Sequence, residues 1–337
     1  EYKEYLAENG WEHKADRPGG PALRGCGVLK GPLESTVPYW LTSHTLGLLD
    51  EYQGSDEPFF IWHNFWGPHS PYLATQEYYD MYKDVDIPEW PSYRWDEAPE
   101  NAPSAMGRPA GAASIPWEQM AEAIRYYYAF TSMIDDQIGR LLDSLEERGL
   151  MDDTVIIFTA DHGESLGDHG GIRDKGWTHF EETLRIPMIV YVPEALAPGR
   201  GSGAVFDQFA SLCDVYPTIC DAAGADYDAE ELHGRSLMPL LRGGAADWRD
   251  SVFVEFFGLA SLTGTLFTCR HGNLKYGWTA GSKDELYDLD KDPHELHNAV
   301  DDPGYEGIAK QMQQRIADWL DRTHFNRSGL NTFKRTN

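Results

Sequence analysis

Seven successive positions over residues 154–160, Thr-Val-Ile-Ile-Phe-Thr-Ala, carry no charge and are mostly β-branched or aromatic, and the run stops at Asp161-His162-Gly163-Glu164. A short, unbroken apolar run of this kind predicts a strand covered on both faces, as in a parallel sheet. Residues 58–66 and 187–192 read the same way, so the three runs are expected as neighbours in one mainly parallel sheet flanked by helices. Helical periodicity is clearest over 117–149, where Met120, Ile124, Tyr127, Ile134, Ile138, Leu141 and Leu145 recur on one face and Gly149 supplies a stop. Shorter helical patterns cover 1–14, 39–53 and 207–223, the last with a kink or restart expected at Pro217. From Ser251 the pattern changes to short alternating strands, SVFVEFF, GTLFTCR, NLKYGW and ELYDL, followed by a helix over 308–320. These elements predict an α/β lobe over 1–250 and a smaller C-terminal lobe over 251–337, made of an antiparallel sheet and a closing helix. Residues 96–116, rich in Ala, Pro, Gly and Ser, read as an exposed loop.

The chemistry begins where the first run ends. In open α/β sheets ligands bind outside the carboxyl ends of the strands, so adjacent Asp161 and His162 are candidates for metal ligation or acid–base work. The plain alternative is an Asp-Gly turn satisfied locally. Gly163 lets the backbone pass close to whatever is bound. The next stretch adds Asp168, His169, Arg173, Lys175 and His179, and upstream the 58–66 run ends in GPHSPY, which puts His69 between two stiffening prolines. His63, inside that run, reads as a buried, hydrogen-bonded histidine. Residues 72–95 are rich in Tyr and Trp, the pattern of core packing or of a cleft wall that stacks on sugar rings.

Charge narrows the partners. The formal charge is −27, from 28 Lys and Arg against 55 Asp and Glu. Such a field repels nucleic acid and anionic membrane, so no nucleic-acid partner is expected, and a local cationic cluster gains meaning. No apolar run is long enough to span a bilayer. Four cysteines form no dense disulfide framework. Cys213 and Cys220, two turns apart on a predicted helix, are separated by about 10 Å and cannot bridge.

The segments PHSPY, TVIIFTADHGESLGDHG, KGWTHFEETLRIP, DVYPTICDAAG, HGRSLMPLL and NLKYGW with ELYDLDKDPHELHNAV occur in that order between 58 and 300. Together they resemble the type I sulfatases of the alkaline phosphatase superfamily. The resemblance implies metal-dependent hydrolysis of a sulfate monoester, on a saccharide or another small anionic substrate. Asp161 and His162 match two metal ligands, Lys175 the sulfate-binding lysine and His69 the active-site histidine. His169, Arg173 and His179 are candidates for substrate contact, and Glu164 for anchoring the loop. The implied cofactor is one divalent metal. Calcium is the expectation, because the iduronate sulfatase branch pairs Asp with His here and is associated with calcium. Mn2+ or Zn2+ follows if the chain instead resembles phosphonate monoester or phosphodiester hydrolases, since imidazole suits those ions.

One departure stands out. Type I sulfatases make formylglycine from Cys or Ser in a C/S-x-P/A-x-R segment, whereas Cys26, Cys213, Cys220 and Cys269 open CGVLK, CDVYP, CDAAG and CRHGN. The resemblance therefore implies a nucleophile carried by an N-terminal segment or a second chain, with this chain inactive alone. A non-catalytic module that keeps the pocket is the remaining reading.

Overall fold

The computed structural model describes residues 1–55, 57–93, 115–175, 178–199, 203–244, 247–258 and 264–325. All but the last two residues of the expected 96–116 loop lie outside these. The chain forms two compact units, Glu1–Trp90 with Ala110–Met151, and Pro91–Pro109 with Asp152–Asn337. The boundary expected near residue 250 falls inside the second.

The first unit contains helix α1 (Tyr2–Glu8), strands β1 (Ala15–Asp16) and β2 (Gly27–Leu29), helix α2 (Val37–Tyr52), strand β3 (Leu73–Thr75), and helices α3 (Gln76–Tyr82) and α4 (Trp117–Glu147). Strand β2 pairs parallel with β3 and antiparallel with β1. Helix α2 starts where the Thr36 hydroxyl accepts the Tyr39 N–H and Pro38 occupies the first turn, a site that needs no proline N–H. Helix α4 fills the predicted span, and Gly149 follows it at φ 68°, a left-handed stop. Its buried stripe packs Ala129, Phe130, Met133 and Ile134 on Ala74 and Tyr78, and Ala123 and Tyr126 on Tyr72 and Cys26.

Over its described residues, 72–93, the tyrosine-rich stretch is thus packing. The Tyr78, Tyr79 and Tyr82 hydroxyls reach Asp136 at 2.5 Å, Glu122 at 2.6 Å and Ser132 at 2.7 Å, all on α4. Each ring buries an apolar body against the helix while its polar tip stays satisfied. Residues 58–66 alternate strictly between half-buried and exposed positions, with Phe60, Trp62 and Trp66 facing out. This is the period of a strand with one face open, not the two-face burial expected of an unbroken apolar run, and no described strand pairs with them.

The second unit contains β4 (Ile156–Thr159), two single turns α5 (Asp168–Gly171) and α6 (Glu181–Leu184), β5 (Met188–Tyr191), and helices α7 (Val215–Ala223) and α8 (Met238–Leu241). Strands β6 (Ser251–Phe256), β7 (Leu266–His271), β8 (Leu274–Thr279) and β9 (Glu285–Asp288) and helix α9 (Glu306–Arg322) complete it. Strands β6 to β9 form one antiparallel sheet in chain order, as the alternation predicts. Helix α9 closes it, packing Met312, Ile316, Ala317 and Leu320 on Phe267, Cys269, Tyr276, Trp278 and Leu286.

The α/β class and the closing antiparallel lobe hold, but the expected single parallel sheet of the 58–66, 154–160 and 187–192 runs does not: among the described residues the first pairs with no strand and the other two form a separate two-stranded sheet. Strands β4 and β5 run antiparallel, with Phe158 opposite Ile189. The chain between them has single turns instead of the crossover helix that a parallel return requires. An apolar run records burial and carries no direction, and here even the burial is partial: Phe158 is 41% and Ile189 62% exposed.

The helix expected over 207–223 begins only at Val215. Ser211 and Asp214 cap a 3-10 turn at Leu212–Asp214 reciprocally, and α7 then restarts at Val215 with Pro217 in its first turn, where the missing N–H costs nothing, so of the two expectations the restart is met and the kink is not. All four cysteines are free thiols. Among the described residues no helix is long and apolar enough to cross a membrane.

Candidate metal and anion site

Asp161 and His162 follow β4 directly. The Asp161 carboxylate accepts the His162 backbone N–H at 3.0 Å. Nδ1 of His162 lies 2.7 Å from the Gly163 carbonyl, which can only accept, so the ring proton sits on Nδ1 and the lone pair on Nε2. That nitrogen accepts from Lys175 Nζ at 3.0 Å and lies 3.6 Å from Asp161 Oδ2. Asp161, His162 and Lys175 are therefore brought to one point.

The loop that returns Lys175 is built from main-chain bonds and one carboxylate. Glu164 Oε1 accepts the Asp174 N–H at 2.5 Å and the Leu166 N–H at 3.5 Å, an anchoring role of the kind expected. Ser165 N–H donates to the Asp174 carbonyl at 3.2 Å and Gly167 N–H to the Ile172 carbonyl at 2.6 Å. Leu166, His169 and Asp174 hold left-handed backbone at φ 47°, 48° and 66° without being glycine. Such conformations cost about 1–3 kcal/mol each and persist where surrounding contacts demand them. Gly163 donates to the Thr183 carbonyl at 2.9 Å, and a Cβ there would lie 1.8 Å from the Glu182 carbonyl. Only glycine lets α6 close against this turn.

The other candidates are placed differently. His169 is 1% exposed, lies flat on Phe180 with ring centroids 3.4 Å apart, and puts Nε2 3.1 Å from the His294 carbonyl. His179 is also 1% exposed, between the hydroxyls of Thr268 at 2.6 Å and Thr279 at 3.0 Å. Gly277 makes room for that ring, because a Cβ there would meet it at 2.4 Å. Burial, with the Lys275 charge behind it, pushes His179 down to about 3, so it is neutral. Both histidines are thus enclosed by the second unit. Arg173 is half-buried on the loop, two residues before Lys175. His69 belongs to the first unit, where its Nδ1 donates to the Ser70 carbonyl at 2.8 Å and its ring lies 5.4 Å from Trp66. His63 bonds the Thr45 hydroxyl at 2.7 Å, and burial lowers its pKa, as expected of a packed histidine.

Sequence reasoning missed Glu182. Asp168, His169 and Glu182 each offer a ligand atom, all within 4.8 Å of one another. The Ser92 hydroxyl donates to Asp168, whose carboxyl burial pushes up to about 6. Burial, then the Asp168 charge, pushes Glu182 up to about 7. A signal existed: the Asp-His-Gly of 161–163 is repeated at 168–170. Nearby, buried Lys275 pairs with Glu295 and, at 3.2 Å, with Glu181.

A divalent cation fits Asp161 and His162. The donors are a carboxylate oxygen and an imidazole nitrogen on one side of the turn, the second ring nitrogen is held by a carbonyl as metal-bound histidines usually are, and the lysine ammonium already occupies the cation position at Nε2.

The sulfatase family profile matches residues 26–225, and the profile described as N-sulphoglucosamine sulphohydrolase, C-terminal, matches 167–322. The chain is 30% identical to the multifunctional alkaline phosphatase superfamily protein PehA of Trinickia caryophylli, over 89% of this chain and 64% of that protein. It is 33% identical to an arylsulfatase of Clostridium perfringens, over 79% of this chain and 54% of that one. The solved structure of the phosphonate monoester hydrolase SpPMH from Silicibacter pomeroyi matches with a TM-score of 0.81 at 25% identity, covering 96% of this chain and 68% of that one. The chain spans between half and two thirds of the length of these two curated relatives.

Proposed function

Because the chain belongs to the sulfatase family, we propose that it supplies the metal-binding and anion-binding part of an active site that hydrolyses a sulfate monoester carried on a saccharide. The observation that carries this reading is the convergence of Lys175 Nζ, His162 Nε2 and Asp161 Oδ2 at the end of β4.

A sulfate ester is an anion whose S–O cleavage expels an alkoxide, so the catalyst must neutralise sulfuryl oxygens and deliver a proton to the leaving oxygen. A divalent ion, calcium in this reading, supplies Lewis acidity when held by Asp161 and His162. Lys175 contributes a point charge on a flexible stem, and Arg173, on the same loop, a second cation for the substrate. For His69 the resemblance of the PHSPY segment alone supports a role in donating a hydrogen bond to sulfate or protonating the leaving group. In this reading His169 and His179 support the loop and the sheet beneath it, since both are enclosed. The saccharide class is supported by the match of 167–322 to the sulphoglucosamine profile. No cysteine or serine opens a C/S-x-P/A-x-R segment, and this reading takes the nucleophile from an N-terminal segment or a second chain.

A second reading, phosphonate monoester or phosphodiester hydrolysis, draws support from the 0.81 match to a phosphonate monoester hydrolase and from the imidazole donor. Calorimetric titration of the chain with p-nitrophenyl sulfate and with p-nitrophenyl phenylphosphonate, each with Ca2+ or Mn2+, separates the two. Calcium-dependent binding of the sulfate ester, weakened at least about tenfold by Lys175→Ala, is the expected result. Preferential, Mn2+-dependent binding of the phosphonate selects the second reading, and binding of neither probe overturns both.

A further inference from the structure

We propose that Asp168, His169 and Glu182 bind a second divalent cation, of the Mn2+ or Zn2+ class, which ties the loop over 161–175 to α6. The three donor atoms already lie within 4.8 Å of one another. Nε2 of His169 faces the His294 carbonyl, which only accepts, so the ring proton sits there and Nδ1 is the atom that faces Glu182 Oε2 at 3.8 Å. That separation is too long for a hydrogen bond and suits two ligands of one ion. Glu182 Oε2 is enclosed and, among the described residues, has no hydrogen-bond donor. The outer contacts are those of ligating groups: a carbonyl on the histidine and the Ser92 hydroxyl on the Asp168 carboxylate.

Charge points the same way. Asp168, Glu181, Glu182, Glu285 and Glu295 gather around Lys275 and Arg270, and the Lys275 ammonium is committed to Glu295 and Glu181. Carboxylates outnumber cations in a space poorly reached by water, where each uncompensated charge is costly. Burial is the main cause that raises Asp168 and Glu182, and the neighbouring carboxylates Glu295 and Asp168 respectively add to it. Two carboxylates and one imidazole form a mixed oxygen and nitrogen set, which suits Mn2+ or Zn2+ better than calcium. The ion would act at a distance on Asp161 and His162, because the Glu182 and Thr183 carbonyls are the groups that press on Gly163 and hold its N–H.

The test uses the 337-residue chain carrying Asp161→Asn and His162→Gln, which removes the other metal-binding pair. Equilibrium dialysis against Mn2+ is expected to leave one ion per chain, with an imidazole-nitrogen coupling in pulsed electron paramagnetic resonance and a raised melting temperature. Adding Glu182→Gln is expected to weaken retention at least tenfold, and adding His169→Gln to remove the nitrogen coupling. The proposal is overturned if the background chain retains neither Mn2+ nor Zn2+, or if both substitutions leave retention unchanged. A coupling that persists without His169 also overturns it. Should either added substitution prevent folding, the background chain still decides: without the nitrogen coupling, the ion is not on His169.

Discussion

Nζ of Lys175 lies 3.0 Å from Nε2 of His162, thirteen residues earlier in the chain. The contact turns Nε2 toward the ammonium, while the Gly163 carbonyl holds the ring proton on Nδ1 at 2.7 Å. The ring is thereby set to present a lone pair to a cation before any ion arrives, and the lysine that holds the place is the residue that would next meet an anion. Loop closure through Glu164 makes this geometry a property of the fold.

Asp161→Asn should weaken Ca2+ binding by about 10²-fold, because it removes the negative ligand while leaving the imidazole. Stability should change little, since the Asp161 side chain is 86% exposed. Calcium titration calorimetry and urea denaturation on the same variant check both halves. Unchanged calcium affinity would remove Asp161 from the metal site.

Lys175→Ala should lower turnover of a sulfate ester by roughly 10²-fold in the active enzyme while calcium affinity stays within a few fold, as for loss of one oxyanion-stabilising donor. Lys175→Arg should recover only part of the loss, because a planar fork does not reproduce a point charge. A matched fall in calcium affinity for the alanine variant would show that Lys175 shapes the metal site instead.

Gly163→Ala should destabilise the chain by about 2–4 kcal/mol, because the new Cβ would lie 1.8 Å from a backbone oxygen of α6 that cannot swing aside. Gly139→Ala is the matched control: it lies within α4 with nothing within 4 Å of its added Cβ, and should stabilise by about 0.5–1 kcal/mol. Urea midpoints for the pair decide it, and equal effects would mean that the turn at Gly163 is looser than its contacts imply.

Glu285 is 1% exposed, and burial, only partly offset by the Tyr287 hydroxyl, raises its carboxyl from 4.5 to about 7. Its folded pKa is the higher one, so the protonated folded state is favoured below about 4.5 and that advantage is lost as pH rises through about 7. Glu285→Gln keeps a partner for Tyr287 but carries no charge. The variant should therefore gain on the parent between pH 5 and pH 8 by up to about 3 kcal/mol. His179, lowered to about 3, weakens both proteins alike as pH falls below 6.5 and cancels in the difference. A stability difference that is flat across this window would show that Glu285 is ionised throughout.

Much of the fold is legible in the chain because periodicity records which faces meet a core. The 3.6-residue stripe of α4 and the alternation of β6 to β9 name their own burial, and Gly149 names its own stop. Residue type also announces chemistry at 161, 162 and 175, where a carboxylate, an imidazole and an ammonium crowd the end of an apolar run. Nothing in such a run says which way its partner travels, and so the antiparallel pairing of β4 with β5 emerges only from the path of the loop between them. Enclosure is equally silent. His169 and His179 read like any pocket histidines until Phe180 and the Thr268–Thr279 pair are found around them.

By itself the sequence determined the secondary elements of α4 and the closing lobe, and the kinds of group available for catalysis, since those depend on local spacing and side-chain chemistry alone. Tertiary structure alone decided that Glu182 joins Asp168 and His169, and that Lys175 returns to His162. Those meetings depend on left-handed turns at Leu166, His169 and Asp174, conformations that no residue preference there encodes and that only the packed loop enforces.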